Sequence, residues 1–462
     1  MRILKHYVSA PILILGVVDV LVLIASVYIG TNLRFLGHVD QIEYSVGAVF
    51  PRSLLISSVI LLCLIGVGLY QSSYRDGMVG IFVRVVLAFF IGIAGLSFLF
   101  YLFPSLFLGR GAFALSLSVA FIAVTITHMV SLTWGEIATK RSVIFLGAGK
   151  KAATILEMRR AADRKGFHLL GFIPLPDEAI VIEERNLIHS HDDLLIYVRE
   201  HQVSEIVVAA EDRRQHLPIA DLLECKLSGV DVMEISTFFE KEFGKVRLDM
   251  LNPGEMIFSD GFMQGSLDNA IKRIFDILAC LLLLSVVWPI MVVTAFMIFL
   301  EGGYRGPIFY RQTRVGCGGK EFEVLKFRSM CINAEENGVQ WATKNDDRVT
   351  RVGGVIRKLR IDELPQVLNV LKGDMSFIGP RPERPEFVID LNKSIPYYSE
   401  RHRVKPGISG WAQLRYSYGA SENDAREKLQ YDLYYVKYHS LFLDLLILLR
   451  TVEVVLFGKG AR

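Results

Sequence analysis

Four long apolar segments crowd the first 134 residues, at roughly 10–30, 51–70, 81–103 and 112–134. Each is long enough to cross a bilayer, which takes ~20 apolar residues. Backbone in hydrocarbon must satisfy its own hydrogen bonds, so such segments are expected as helices. The short connections between them predict four successive crossings. Asp19 and Arg84 interrupt the first and third segments; charges so placed face a bundle interior or snorkel to the interface. Arg2 and Lys5 precede the first run, and no small-residue cleavage site follows, so it is expected to be a retained helix. Arg2, Lys5, Arg75, Lys140 and Arg141 outweigh Arg34, Arg52 and Arg110 on the other side, which puts the N-terminus and residue 136 in the cytoplasm.

The remainder must live in water. Hydrophobic residues make up 52% of the 462, yet charged residues still reach 21%. A net charge of +3 gives no case for nucleic acid. Cys63, Cys225, Cys280, Cys317 and Cys331 form no CxxC pair, which argues against a disulfide framework or zinc site. Residues 137–265 read as a Rossmann-like α/β domain, with strands expected at Ser142–Leu146, Leu169–Ile173 and Glu205–Ala209 and a helix running to about Asp163. Between the first strand and that helix, Gly147 and Gly149 are candidate nucleotide-binding positions in a Gly-x-Gly-x-x-Ala turn. No acid follows at the usual distance, since Asp177 and Glu178 lie too far beyond Phe172, and no Tyr-x-x-x-Lys pair argues for redox chemistry. The competing reading is a structural turn serving regulation or dimer contacts.

Residues 266–462 read as a third domain. It opens on an apolar stretch at about 271–300 that is interrupted by Trp288-Pro289. A proline inside a helix removes a donor and favours a kink. One reading is a fifth crossing. The other, favoured by basic residues at both ends (Lys272 and Arg273; Arg305, Arg311 and Arg314), is a re-entrant helix that enters and leaves on the cytoplasmic face. Ser285 could satisfy a backbone group freed by the break. Ser440–Phe457, apolar but carrying Asp444, Arg450 and Glu453, is expected as an interfacial helix. Tyr431, Tyr434, Tyr435 and Tyr438 fit the same interface.

The polar residues of this domain are more specific. Arg348, Arg351, Arg357, Lys358 and Arg360 form an acid-free run that ends on Asp362-Glu363. Pro365 is tolerated only in a first helical turn, so a helix is expected to begin near Asp362. Its free N–H groups and the nearby arginines suit phosphate and should keep Asp362 ionised as a nucleophile. Glu363 could hold Mg²⁺, which one or two carboxylates and substrate phosphates commonly bind. Taken alone, the pair is an ordinary helix cap and first-turn charge. It is joined, however, by Lys326 and Arg328 on an expected strand, by Arg381 in Gly379-Pro-Arg-Pro382, and by Lys405 in Lys405-Pro-Gly-Ile-Ser-Gly-Trp411. His402 lies among arginines with no metal-binding spacing around it.

Six motifs in order, Lys272-Arg-Ile-Phe-Asp276, Lys326-Phe-Arg-Ser-Met330, Asp347-Arg-Val-Thr350, Leu359–Gln366, Gly379–Pro382 and Lys405–Gln413, resemble the bacterial polyprenyl-phosphate hexose-1-phosphate transferases, the monotopic phosphoglycosyl transferases. The N-terminal segments resemble the large subgroup of that family, which includes exopolysaccharide-initiating enzymes. The resemblance implies that Asp362 attacks a UDP-sugar, that UMP leaves, and that undecaprenyl phosphate collects the sugar phosphate from Asp362. It further implies Mg²⁺ on Glu363, phosphate on Arg357, Lys326, Arg328 and Arg381, inner-membrane lipids around the helices, soluble domains in the cytoplasm, and a homodimer. The family's Ser-Pro break is Trp288-Pro289 here, and its Asn-Gly-Arg-Asn-like segment is replaced by Leu414–Ser421, where Arg415, with Lys405, is the nucleotide candidate. The rival expectations are a glycosyl transferase releasing UDP and a membrane-anchored nucleotide sensor.

Overall fold

The computed structural model describes residues 2–3, 6–7, 10–36, 47–70, 77–138, 141–156, 166–176, 178–188, 194–211, 217–251, 253–258, 261–262, 265–302, 306–332, 348–416, 419 and 421–457. Lys5, Arg75, Lys140, Asp163, Asp177, Arg305 and Asp347, and part of Leu414–Ser421, lie outside them. The chain divides into two compact units, essentially Tyr7–Phe243 and Gly244–Arg462, so residues 244–265 join the second unit.

The first unit begins with helices α1 (Ala10–Arg34), α2 (Val49–Gly66), α3 (Gly77–Leu102) and α4 (Arg110–Ala138). All four are long and apolar enough to cross a membrane. Their lipid-like faces carry exposed Ile14, Leu21, Phe90 and Ile122, while the charges turn inward. Asp19 is fully buried; it accepts from the Tyr70 hydroxyl and lies 2.8 Å from His128 Nε2. Arg84 is also buried and donates to the Val67 carbonyl. Close approach is built in at Gly30, where a Cβ would collide with Ser116 of α4.

The α/β part has β1 (Arg141–Leu146), α5 (Lys150–Leu156), β2 (Phe167–Ile173), α6 (Leu194–Glu200), β3 (Glu205–Val208), α7 (Ile219–Leu227), β4 (Asp231–Glu234) and α8 (Ile235–Phe243). The strands form one parallel sheet in the order β2-β1-β3-β4. Ile144, Leu146 and Ile206 are buried beneath α6 and α7 and give this layer its core.

The second unit is organised around α9 (Ser266–Glu301), which runs helically through Pro289. The break expected at Trp288-Pro289 is therefore a proline inside one helix. The Ser285 hydroxyl bonds the Leu282 carbonyl and leaves untouched the Ser285 carbonyl, the group a proline at 289 frees. Both ends of α9 are fastened to the same domain. Near its start, Arg273 donates to the carbonyls of Val370 and Leu371, and Asp276 accepts from the Ser376 hydroxyl and Phe377 N–H. Near its end, Glu301 accepts from Val352 N–H.

That domain contains an antiparallel pair, β5 (Phe309–Val315) with β6 (Glu321–Phe327), then α10 (Arg351–Lys358), α11 (Gln366–Lys372) and β7 (Ser376–Ile378). After α12 (Pro385–Ser394), β8 (Gly407–Ser409) pairs parallel with β7, and α13 (Trp411–Arg415), α14 (Glu422–Tyr438) and α15 (Leu441–Phe457) follow. Val324 and Val367 pack with Cys280 of α9, while Phe327 and Ile356 pack with Ile298 farther along it. One interfacial expectation changes here. Tyr434, Tyr435 and Tyr438 are buried in the domain core. Asp444 on α15 is also fully buried, because Lys272 meets it at 2.6 Å and the Tyr435 hydroxyl bonds it as well.

Candidate active site

The Asp362-Glu363 pair sits in a tight turn between two helices. Thr350 caps α10 by accepting from Gly353 N–H. Arg360 ends the run in the left-handed region, with φ 56° and ψ 22°, a conformation rare for residues with a side chain. The reversal opens a 3₁₀ turn, Ile361–Glu363, and α11 starts only at Gln366. The helix expected to begin near Asp362 therefore begins four residues later, and the two carboxylates precede it.

Glu363 is the anchored member. Its Oε1 accepts from Lys326 Nζ at 3.0 Å and from Arg381 Nη2 at 2.6 Å, and Arg360 lies 3.8 Å from Oε2. Burial pushes its carboxyl up, but Arg381 and Lys326 outweigh burial and hold it well below the ordinary range. Burial in turn lowers the Lys326 ammonium, against the pull of Glu363. Asp362 is half-buried. Burial and the adjacent Glu363 carboxylate raise its pKa, opposed by Lys326, Arg357 and Arg381. Desolvation and a like charge thus outweigh the nearby cations at Asp362. The Arg357 side chain, half-buried on α10, has no hydrogen bond or ion pair among the described residues and acts on Asp362 through its charge.

The frame around the pair is rigid. Lys326 lies at the end of β6, and Asn369 of α11 grips that strand, accepting from Leu325 N–H at 2.9 Å and donating to the Glu323 carbonyl at 2.7 Å. Arg381 is held between Pro380 and Pro382.

Other expected site residues lie elsewhere. Arg328, just past β6, points to the end of α9, where Nη2 is 3.5 Å from the Ile298 carbonyl. Its guanidinium packs so closely on Gly302 and Gly306 that a Cβ at either would collide with it. Strand alternation would put Lys326 and Arg328 on one face, but the strand ends at Phe327, so Arg328 lies beyond it and is released from that pattern. Lys405 lies beside Gly373, at the far end of α11 from the carboxylates. Arg415 is exposed and stacks over Trp411, 4.6 Å from its ring centroid.

In the α/β part, Gly147 is left-handed (φ 119°) and its place is fixed by Ala209, 2.9 Å from where a Cβ would stand. Where an anion would meet the turn, two carboxylates already sit. Glu178 accepts from Ala148 N–H and Glu211 from Lys151 N–H, both at 2.8 Å, and both crowd Gly149.

A divalent ion can be accommodated at Glu363. Oε1 is committed to two cations, whereas among the described residues Oε2 has only the more distant Arg360. One carboxylate oxygen suffices for Mg²⁺ when water and substrate phosphates complete its shell. Among the described residues, no group of three His, Cys, Asp or Glu side chains forms a closed metal cage.

Residues missed by sequence reasoning supply much of the frame: Asn369 and the ion pair of Arg401 with Asp432, while Asp276, named there only within a motif, turns out to tie α9 to β7. Only a buried carboxylate in an otherwise apolar helix, as at Asp276, could have signalled any of them.

Residues 267–458 match a family described as bacterial sugar transferase. Over 241 residues the chain is 47% identical to an Aeromonas hydrophila UDP-N-acetylgalactosamine-undecaprenyl-phosphate N-acetylgalactosaminephosphotransferase, covering 52% of this chain and 56% of that protein. It is 33% identical over 309 residues to a UDP-glucose:undecaprenyl-phosphate glucose-1-phosphate transferase of Xanthomonas campestris pv. campestris, covering 64% of this chain and 62% of that protein. A Caulobacter vibrioides protein of the same description is 42% identical over 192 residues, or 41% of this chain and 71% of that protein. The chain thus spans somewhat under two thirds of the first two relatives.

Proposed function

Since the chain belongs to the family of bacterial sugar transferases, we propose that it moves a hexose 1-phosphate from a UDP-sugar to undecaprenyl phosphate, the initiating step of a surface polysaccharide. The observation that carries this reading is the turn at Asp362-Glu363. One carboxylate is locked by Lys326 and Arg381, while among the described residues its neighbour makes no such lock and the Arg357 side chain beside it is uncommitted.

In this reading Asp362 is the nucleophile. Its carboxylate oxygen attacks the phosphorus that carries the sugar, a P–O bond forms, and the bond to UMP breaks. An oxygen of undecaprenyl phosphate then attacks the same phosphorus and the aspartyl–phosphorus bond breaks, returning Asp362 as carboxylate. Dividing the displacement this way is what a carboxylate nucleophile permits. Arg357 and the outer face of Arg381 bind and orient the phosphates, countering the repulsion between an anionic nucleophile and an anionic donor. Lys326 and Arg381 hold Glu363 in one rotamer. Glu363 Oε2 would hold Mg²⁺, which supplies further charge neutralisation when bound.

The lipid acceptor requires the site to lie at a bilayer surface. Uninterrupted, a 36-residue helix would run about 54 Å, well beyond a hydrocarbon core of about 30 Å. Yet both ends of α9 are tied to one domain, through Arg273 and Asp276 at one end and Glu301 at the other. These ties support a helix that bends at Pro289, dipping into the cytoplasmic leaflet of the inner membrane and returning; a homodimer as the working assembly rests on the family resemblance alone.

The decisive experiment incubates the full-length protein with UDP-glucose, UDP-galactose or UDP-N-acetylgalactosamine and undecaprenyl phosphate, with and without EDTA. Release of UMP is expected, with loss of activity on chelation and in Asp362→Ala. Release of UDP, or full turnover by Asp362→Ala, refutes the mechanism.

A further inference from the structure

We propose that the buried Arg401–Asp432 pair is a positioning device for this reaction, fixing the main chain at Arg381 so that its guanidinium meets Glu363. Arg401 and Asp432 are 5% and 2% exposed. Arg401 Nε and Nη2 donate to Asp432 Oδ2 at 3.1 and 2.8 Å, and Nη1 donates to the Tyr398 hydroxyl at 2.9 Å. Nη2 also donates to the Arg381 carbonyl at 2.9 Å. From that residue the side chain crosses to Glu363 Oε1 at 2.6 Å.

The chain of contacts is therefore Asp432 to Arg401 to the Arg381 backbone to Glu363, carried from α14 through the loop before β8 to the carboxylate turn. Packing alone does not call for it. A buried ion pair is a weak source of stability, because desolvation offsets most of the attraction, and an apolar pair of similar volume serves as well. What the charged pair adds is a directed donor to one carbonyl. Pro380 and Pro382 already restrict the backbone on either side of Arg381. The bond from Arg401 removes the remaining freedom, and a guanidinium held this way meets a carboxylate with fixed direction. Neither Arg401 nor Asp432 reaches Glu363 itself, so both act through Arg381.

This inference rests on the reading of Asp362 and Glu363 given above, and its test separates the two. Turnover is measured in the full-length protein for Arg401→Lys, for Arg381→Gln and for both together, each normalised to folded protein. Arg401→Lys keeps the charge but replaces the planar five-donor fork with one ammonium nitrogen, which loses the directed geometry toward Asp432, Tyr398 and the Arg381 carbonyl. Loss of an orienting partner of this kind costs about 10–100-fold in activity. In the Arg381→Gln background the same change should cost less than about 3-fold, because residues acting through one another are not additive. Asp432→Asn, which keeps the side chain's shape, should reproduce the pattern and serves if Arg401→Lys accumulates poorly. Equal losses in both backgrounds overturn the positioning role, since a merely structural pair would lower activity whatever stands at 381. If Asp362→Ala is inactive while the cycle is additive, only this inference falls; if Asp362→Ala turns over, the reading beneath it falls as well.

Discussion

Replacing Glu363 with glutamine keeps the shape of the side chain and removes its charge, leaving Lys326 and Arg381 facing a neutral amide. The Glu363 and Lys326 side chains are 11% and 18% exposed, whereas Arg381 is 39% exposed. Stripping one partner from a buried pair costs about 3–5 kcal/mol. The Lys326 arm carries most of that here, while the Arg381 arm is discounted because solvent screens it. A net loss of about 2–4 kcal/mol is expected, which lowers the unfolding midpoint of a domain this size by about 4–16 °C. The assay is thermal unfolding followed by intrinsic fluorescence in detergent or nanodiscs. The pH dependence has a defined sign. Glu363 is held below its ordinary value, so its contribution is fully present above about pH 4.3 and is lost as pH falls through the depressed pKa. The gap between wild type and Glu363→Gln should accordingly persist at neutral pH and shrink in acid. A second change checks the cause: Lys326→Met added to Glu363→Gln removes the stranded ammonium and should recover much of the loss. If Glu363→Gln melts within about 1 °C of wild type, or if the double variant is no more stable than the single one, the ion-pair argument is refuted.

Asp362 is raised by burial and by Glu363, so the acidic limb of the pH–rate profile should lie above the ordinary aspartate value of about 3.9. Arg357→Ala, which removes an opposing cation, should move that limb upward, and Glu363→Gln should move it downward in the remaining activity. Asn369→Leu leaves the Leu325 N–H and Glu323 carbonyl unpaired; a loss of about 2–4 kcal/mol is expected, measurable as a lower unfolding midpoint together with reduced turnover as the Lys326 strand loosens. Lys272→Met strands the fully buried Asp444 and should cost about 3–5 kcal/mol; recovery in Lys272→Met with Asp444→Leu, read by the same unfolding assay, checks it.

The apolar helices were legible because length and hydropathy decide them, and the inward turn of Asp19 and Arg84 follows from the cost of a charge in lipid. Three strands of the α/β sheet were legible as short apolar runs, whereas Asp231–Glu234 is half-exposed with an acid at each end and reads as a loop. The break between α10 and α11 was legible in part: Pro365 marked a new helix start, set at Asp362 rather than Gln366. Helix ends are usually marked by glycine or asparagine in the left-handed region, and here that place is taken by Arg360, so the end of α10 carried no such mark. The Lys272–Asp444 and Arg401–Asp432 pairs were hidden for another reason. Their members lie 172 and 31 residues apart, and each charge alone looks like part of a solvated surface.

The electrostatics of the site shows why the two neighbouring carboxylates differ. Lys326, Arg357, Arg360 and Arg381 surround Asp362 and Glu363, so four cations against two anions leave two positive charges when both acids are ionised. Glu363 holds two of the four at hydrogen-bond distance. Asp362, offset by one residue on a 3₁₀ turn, faces the excess without being locked to it. A carboxylate bonded to two cations is a poor nucleophile because its lone pairs are occupied. One that is partly desolvated, raised in pKa and only remotely attracted keeps its basicity and its freedom to attack. The field of these cations therefore acts on an incoming diphosphate as well as on the nucleophile. Exchanging the two positions, Asp362→Glu with Glu363→Asp, would retain the net charge but shorten the side chain that must reach Lys326 and Arg381, and the division of roles would be lost with it.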